Sequence, residues 1–233
     1  MNIHSRYLIH WTGKKDIEEQ PENIRAQKYV ERVIDYYQNG LYAKRTSEDV
    51  VRGMKINNLA RLCFTEIRLS QAQEHANRYG KLGIGFSREF ILNKGGRPVI
   101  YIPFEAKEHL LEDSLKAAYD KSEAYDEIHK PLKWVLAFVK RMSNEYDQDH
   151  EDYENYYDEM EWRIVYDEKP DNNLFTKGKA EGVFRLMFVP SDIKVLIFPN
   201  DYVKSITLNN EFLKGLFSQN LPITVTLDDC NNF

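Results

Sequence analysis

Apolar positions along the chain change period several times, and those changes divide it into strands and helices. Residues 6–12 (Arg-Tyr-Leu-Ile-His-Trp-Thr) alternate as a half-buried strand does, which puts Leu8, His10 and Thr12 on one face and Tyr7, Ile9 and Trp11 on the other. The period then lengthens. Val30, Val33, Ile34 and Tyr37 form a helical stripe within about 21–38, and Gly40 is placed to end that helix in the left-handed region. Residues 41–60 show weak periodicity and read as irregular. Arg61 to Ile67 reads as a second strand. A short helix is expected from Ser70, with Gln73 completing a capping box, as far as Tyr79-Gly80.

Leu82–Phe86 and Pro98–Ile102 read as two short strands around the turn Lys94-Gly95-Gly96-Arg97. Helices are expected at 105–119 and 131–146, the second beginning with Pro131 in its first turn. Strands follow at 159–166, 183–189 and 194–198, then a helix at 211–217 and a last strand at 223–227. Strands open and close the chain and helices are inserted between them. The expectation is one α+β domain over residues 1–233, with a mixed, mainly antiparallel sheet. The sole boundary candidate is the stretch 145–161, with nine acidic residues and no Lys or Arg, and a strand follows it at once.

Composition narrows the function classes. Hydrophobic residues make up 42% of the 233 and charged residues 30%, ordinary for a globular chain, and the 15 tyrosines argue against disorder. A net charge of −5 disfavours nucleic-acid binding through a broad basic face, which leaves only a local groove for such a ligand. No apolar run approaches the ~18 residues that cross a bilayer, and the first residues carry no signal pattern, so a cytoplasmic protein is expected. Cys63, within Leu62-Cys63-Phe64, reads as a buried core thiol in a reducing compartment rather than half of a disulfide with Cys230.

Few residues stand out for chemistry. His10 lies near the end of the first strand. Glu159 and Glu161, two apart, would share a face in an extended chain with Arg163, opposite Trp162, Ile164 and Tyr166; the plain alternative is the wet face of a half-exposed sheet. Asp147, Asp149, Glu151 and Asp152 imitate a calcium loop without its glycine or bidentate Glu, so a solvated acidic loop is the better reading and no metal site is expected. Gly83-Ile84-Gly85 lacks the third glycine and the helix of a dinucleotide fingerprint, and reads instead as a place where strands approach closely. Tyr153, Tyr156 and Tyr157, set among carboxylates, would suit a basic partner.

Three blocks in order carry a resemblance: Leu8-Ile9-His10-Trp11-Thr12-Gly13; Leu62 to Ser70 running on through His75 and Tyr79 to Gly80-Lys81-Leu82-Gly83-Ile84-Gly85-Phe86; and Pro98-Val99-Ile100-Tyr101. With Glu161-Trp162-Arg163-Ile164 they resemble the AbiGi family of bacterial abortive phage-infection proteins, the antitoxin partner of a two-gene defence system. That resemblance implies a cognate toxin as partner and a phage-derived trigger. More distantly, the layout resembles the ADP-ribosyltransferase fold, which implies NAD as a substrate and no resident cofactor. On that resemblance His10 would hold the ribose with Thr12 beside it, and Tyr79, Phe86 and Tyr101 compete to pack the nicotinamide. Glu159 and Glu161 would complete the site as its Glu-x-Glu, with His10 and both carboxylates as the catalytic set.

Overall fold

A long antiparallel hairpin occupies the stretch that lacked a sequence period. In the computed structural model, which describes residues 6–51, 54–66, 68–102, 110–141, 159–166, 175–178 and 183–231, strands β2 (Leu41–Val51) and β3 (Met54–Thr65) pair along most of their length. Their register slips between Thr46 and Glu48 and again between Asp49 and Val51. Each bulge shifts the alternation. On β2 the buried positions are therefore odd at Leu41 and Ala43 but even at Val50, while β3 keeps its even positions, Met54, Ile56, Ala60, Leu62 and Phe64, buried throughout. A single period could not be read through that shift.

The first strand β1 (Tyr7–Thr12) and the helix α1 (Glu22–Asn39) follow expectation. Tyr29, Val30, Val33 and Tyr36 form the buried stripe of α1. Gly40 ends the helix with φ 81°, its N–H donating to Tyr36 O at 2.9 Å, and a Cβ there would run into the Leu186 carbonyl. The capping box expected at Ser70 does not form. One 3-10 turn (Leu69–Gln71) leads into α2 (Ala72–Tyr79), whose N-cap Gln71 makes no side-chain cap. Strand β4 (Leu82–Ser87) is followed by a helix the sequence reading missed, α3 (Arg88–Asn93), capped by the Ser87 side chain. The expected strand 98–102 is split into β5 (Arg97–Pro98) and β6 (Ile100–Ile102).

Helices α4 (Leu110–Ser122) and α5 (Asp126–Leu136) replace the expected 105–119 and 131–146. Pro131 lies inside α5 rather than in its first turn, and the chain turns into strand β7 (Val139–Arg141) where helix had been expected to continue. Then come β8 (Glu161–Tyr166), β9 (Phe175–Lys177), β10 (Val183–Leu186), β11 (Ile193–Phe198), the unexpected α6 (Asp201–Leu208), α7 (Glu211–Phe217), β12 (Ile223–Thr226) and a closing turn of helix, α8 (Leu227–Cys230). Ile67, the acidic stretch through 158 with its calcium-like motif, and its tyrosines lie outside the described residues.

The main sheet runs β12-β11-β4-β1-β3-β2-β10-β9, with β8 and β5 continuing from β3, and is antiparallel except for β11 beside β12. It belongs to the α+β class, mixed and mostly antiparallel. Helices α1, α3, α6 and α7 cover one face over a core that includes Leu8, Phe64, Phe86, Ile164 and Phe198; α2 and α8 cover part of the other over Ile9, Trp11, Val195 and Ile197. The sheet has a seam. β1 and β3 meet through one pair, Ile9 and Thr65, whereas β1 pairs with β4 along its full length. The close strand approach expected at Gly83 and Gly85 is present: a Cβ on Gly85 would meet Ile9 Cδ1 at 2.8 Å and Val195 Cβ at 2.9 Å. Among the described residues no helix is long and apolar enough to cross a membrane.

Candidate functional site

Where β1 and β3 part, side chains do the joining. His10 Nδ1–H donates to Cys63 O at 2.9 Å, and the Trp11 indole N–H donates to Thr65 Oγ1 at 3.0 Å. Beside this seam lies a cavity of about 340 Å³, lined by residues of β1, β2, β3, α2, β7 and β8 together with Glu159. Its long wall is the face of β3 that carries Arg61, Cys63 and Thr65, alternating with the core residues Leu62 and Phe64.

Beside β3 in the sheet lies β8, which extends that wall. Thr65 pairs with Glu161 and Cys63 with Arg163, so these side chains share a face. The open, wet face weighed from the sequence is instead buried: Glu161 is 4% exposed and Arg163 is 1% exposed. The segment after α5 covers it. Arg163 Nη1 donates to Ala137 O at 2.7 Å, and Lys140 Nζ reaches Glu159 Oε2 at 2.6 Å and Glu161 Oε2 at 3.0 Å. Arg163 Nε adds a bond to Glu161 Oε1 at 2.6 Å. Burial pushes the Glu161 carboxyl up, but Arg163 and Lys140 outweigh it and hold it down at about 2. Burial opposes the charge on Lys140, and the two glutamates more than offset it, so its ammonium stays protonated.

Glu159 arrives by a different route from the one expected. The strand starts at Glu161, and Met160 takes φ 42°, a conformation costly to a residue with a Cβ. This kink, not strand alternation, turns Glu159 inward, where it is 2% exposed and accepts from the Tyr79 hydroxyl. The Met160 carbonyl accepts from Glu66 N at 3.1 Å, and Glu161 N donates to the Tyr101 hydroxyl at 2.9 Å, which together fix the turn.

Of the residues singled out from the sequence, His10, Tyr79, Glu159 and Glu161 line this cavity. His10 belongs to the opposite face of the sheet, its ring beside Tyr36 and Phe64, and reaches the cavity at the seam. Burial lowers its pKa and Arg32 lowers it further, against the bond to Cys63 O, which leaves a neutral ring with Nε2 as acceptor at pH 7. Thr12 lies elsewhere, its hydroxyl bonded to Tyr36 and Arg32. Phe86 is core, fully buried against Phe64, Phe90 and Phe188, and cannot pack a ligand. Tyr101 holds the Glu161 backbone rather than lining the cavity.

Cys63 is exposed, not a core thiol; Cys230 is the buried one, and neither is in a disulfide. Residues missed from the sequence include Arg61, Trp11 and Lys140. Arg61 and Cys63 alternate with Leu62 and Phe64, a period-two signal for a polar second face. Lys140 was hidden because Leu136 to Val139 is a short apolar run, which suits a helix end as well as a strand. Among the described residues no three His, Cys, Asp or Glu side chains gather as metal ligands.

A family model described as "Putative abortive phage resistance protein AbiGi, antitoxin" matches residues 42–199, more than half of the chain. No curated protein and no solved structure matches it. The matched span runs from β2 through β11 and includes Arg61, Tyr79, Lys140, Glu159, Glu161 and Arg163 of the cavity, while His10 and Trp11 lie before it. The chain thus belongs to the AbiGi family of abortive phage resistance proteins.

Proposed function

We propose that this chain is the antitoxin-type half of an abortive-infection pair and restrains its toxin by direct contact. Membership of a family described as antitoxin supports this reading, and the state of Glu161 supports binding over catalysis. A carboxylate that stabilises a cationic transition state must present its charge to the substrate. The Glu161 charge is already taken up by Arg163 and Lys140. Co-expression with the toxin gene of its own locus tests this reading. Growth should be restored by this chain, and the two proteins should purify as one complex. Restored growth with no complex, or no restoration at all, would overturn it.

A second reading has one observation in its favour: His10, Tyr79, Glu159 and Glu161, from separate parts of the chain, meet at one cavity. In an ADP-ribosyltransferase, the bond between the ribose C1′ and the nicotinamide nitrogen breaks with departure of neutral nicotinamide. Positive charge builds on the ribose, as in glycoside hydrolysis. Glu161 would hold the ribose hydroxyl and offset that charge, His10 would bond the ribose diol, and Glu159 would take the proton of the acceptor as its new bond to C1′ forms. This chemistry needs Lys140 to move aside. Nicotinamide release from NAD by wild type but not by Glu161→Gln supports it; equal rates for the two, or none for wild type, remove it.

A further inference from the structure

The cavity extends beyond the carboxylates along β3. Arg61, Cys63 and Thr65 occupy alternate positions on its wall, so it runs roughly 13 Å at the rise of an extended strand. Its two ends differ in chemistry. At the Thr65 end stand Trp11, leaning over Gly83 with its indole nitrogen anchored to Thr65, and Tyr79. At the other end stand Arg61 and the exposed Ser47 of β2. Glu161 pairs with Thr65 and Glu159 meets Tyr79, so these carboxylates, bridged by Lys140, border the aromatic end, while Arg163, paired with Cys63, stands between the two ends.

Charge and size narrow what fits. Three of the five charged lining side chains are cations, so the cavity is positive by one with His10 neutral, inside a chain whose net charge is −5. A volume of about 340 Å³ suits a small ligand and no macromolecule, since ligand pockets span about 300–1,000 Å³. Aromatic walls stack planar rings, a guanidinium donates to phosphate in a two-pronged fashion, and the carboxylates beside the aromatic end, with Arg163 next to them, suit sugar hydroxyls.

We propose that the cavity binds a phosphorylated nucleoside, with the base at the Trp11–Tyr79 end and the phosphate at the Arg61–Ser47 end. Such a site gives an antitoxin-type protein a small-molecule input. It requires no catalysis and does not rest on the NAD reading.

Calorimetric titration of the full chain with AMP, GMP, CMP and UMP, each beside its parent nucleoside, tests the assignment. At least one nucleotide should bind saturably and about tenfold or more tighter than its nucleoside, the difference expected for one charged hydrogen bond to phosphate. Arg61→Gln should remove most of that advantage while changing nucleoside binding less than about twofold. If Arg61→Gln does not fold, Ser47→Ala serves, with a smaller loss confined to the nucleotide. Absence of saturable binding by all four nucleotides at millimolar concentration overturns the proposal. So does equal wild-type affinity for nucleotide and nucleoside, or an equal loss of both in the variant. Nicotinamide release from NAD, assayed separately, reports on the enzyme reading alone.

Discussion

Glu161 and Arg163 stand two residues apart on β8 and close a two-pronged ion pair on its buried face, with Nε to Oε1 at 2.6 Å and Nη2 to Oε2 at 3.2 Å. The pair has a pH signature. The folded pKa of Glu161, about 2, lies below the roughly 4.3 of an unfolded glutamate. Its contribution to stability is therefore fully present above about pH 4.3 and is lost as pH falls towards 2, on the order of 3 kcal/mol in all. Glu161→Gln should lose this contribution and leave Arg163 and Lys140 short of a counter-charge, a cost of about 3–5 kcal/mol at pH 7. The stability gap between wild type and variant, measured by urea unfolding, should narrow from pH 5 to pH 3. A constant gap would show that Glu161 is not held ionised by its neighbours. From the sequence, with Glu161 on a wet face, the same substitution would have spared the fold.

The two cysteines should differ in reactivity by position alone. Cys63 is exposed on the cavity wall and Cys230, the last residue of α8, is fully buried. A disulfide reagent should modify one thiol per native chain, and the second only after unfolding. Cys63→Ser should abolish the native reaction. Two fast equivalents would show that the α8 end opens readily.

How much could be read from the sequence depended on whether local pattern or distant contact decided the outcome. The β1 alternation and the α1 stripe are local, and both were legible. The β2–β3 hairpin was not, because bulges at Thr46/Glu48 and Asp49/Val51 shift the period mid-strand. Glu159 and Glu161 were found as a pair, and His10 and Tyr79 as companions. What could not be seen was the coverage of β8 by Ala137 to Lys140, a contact between residues more than twenty apart that turns an apparent wet face into a buried ionic one. Phe86 shows the converse. In sequence it is one of three aromatics, and only the helices packed over its face make it core.

Met160 is the one described non-glycine residue with positive φ, and its side chain is 38% exposed, so it contributes little packing. A left-handed conformation costs a residue with a Cβ about 1–2 kcal/mol, which glycine avoids, at the expense of greater freedom in the unfolded chain. Met160→Gly should leave the melting temperature unchanged or raise it slightly. Met160→Val, branched at Cβ, should lower the melting temperature, with a loss of stability of at least about 1 kcal/mol. If both variants destabilise equally, the kink is not what turns Glu159 towards Lys140.

Trp162 and Trp134 offer a controlled comparison of the same truncation. Trp162 is 9% exposed in the main core, and its indole N–H donates to Glu66 Oε2 at 2.7 Å; Trp134 is 39% exposed on α5 and leans on Phe138. Trp162→Ala removes a large core side chain and should cost about 3–5 kcal/mol in denaturant unfolding. Trp134→Ala, at a partly exposed position, should cost far less, about 1 kcal/mol. Trp162→Phe keeps most of the volume but deletes a donor to a buried carboxylate that Arg88 also holds, and should cost about 1–3 kcal/mol. Equal losses for Trp162→Ala and Trp162→Phe would assign the stabilisation to the bond with Glu66. Equal losses for Trp162→Ala and Trp134→Ala would mean that Trp162 does not pack in the core under α3.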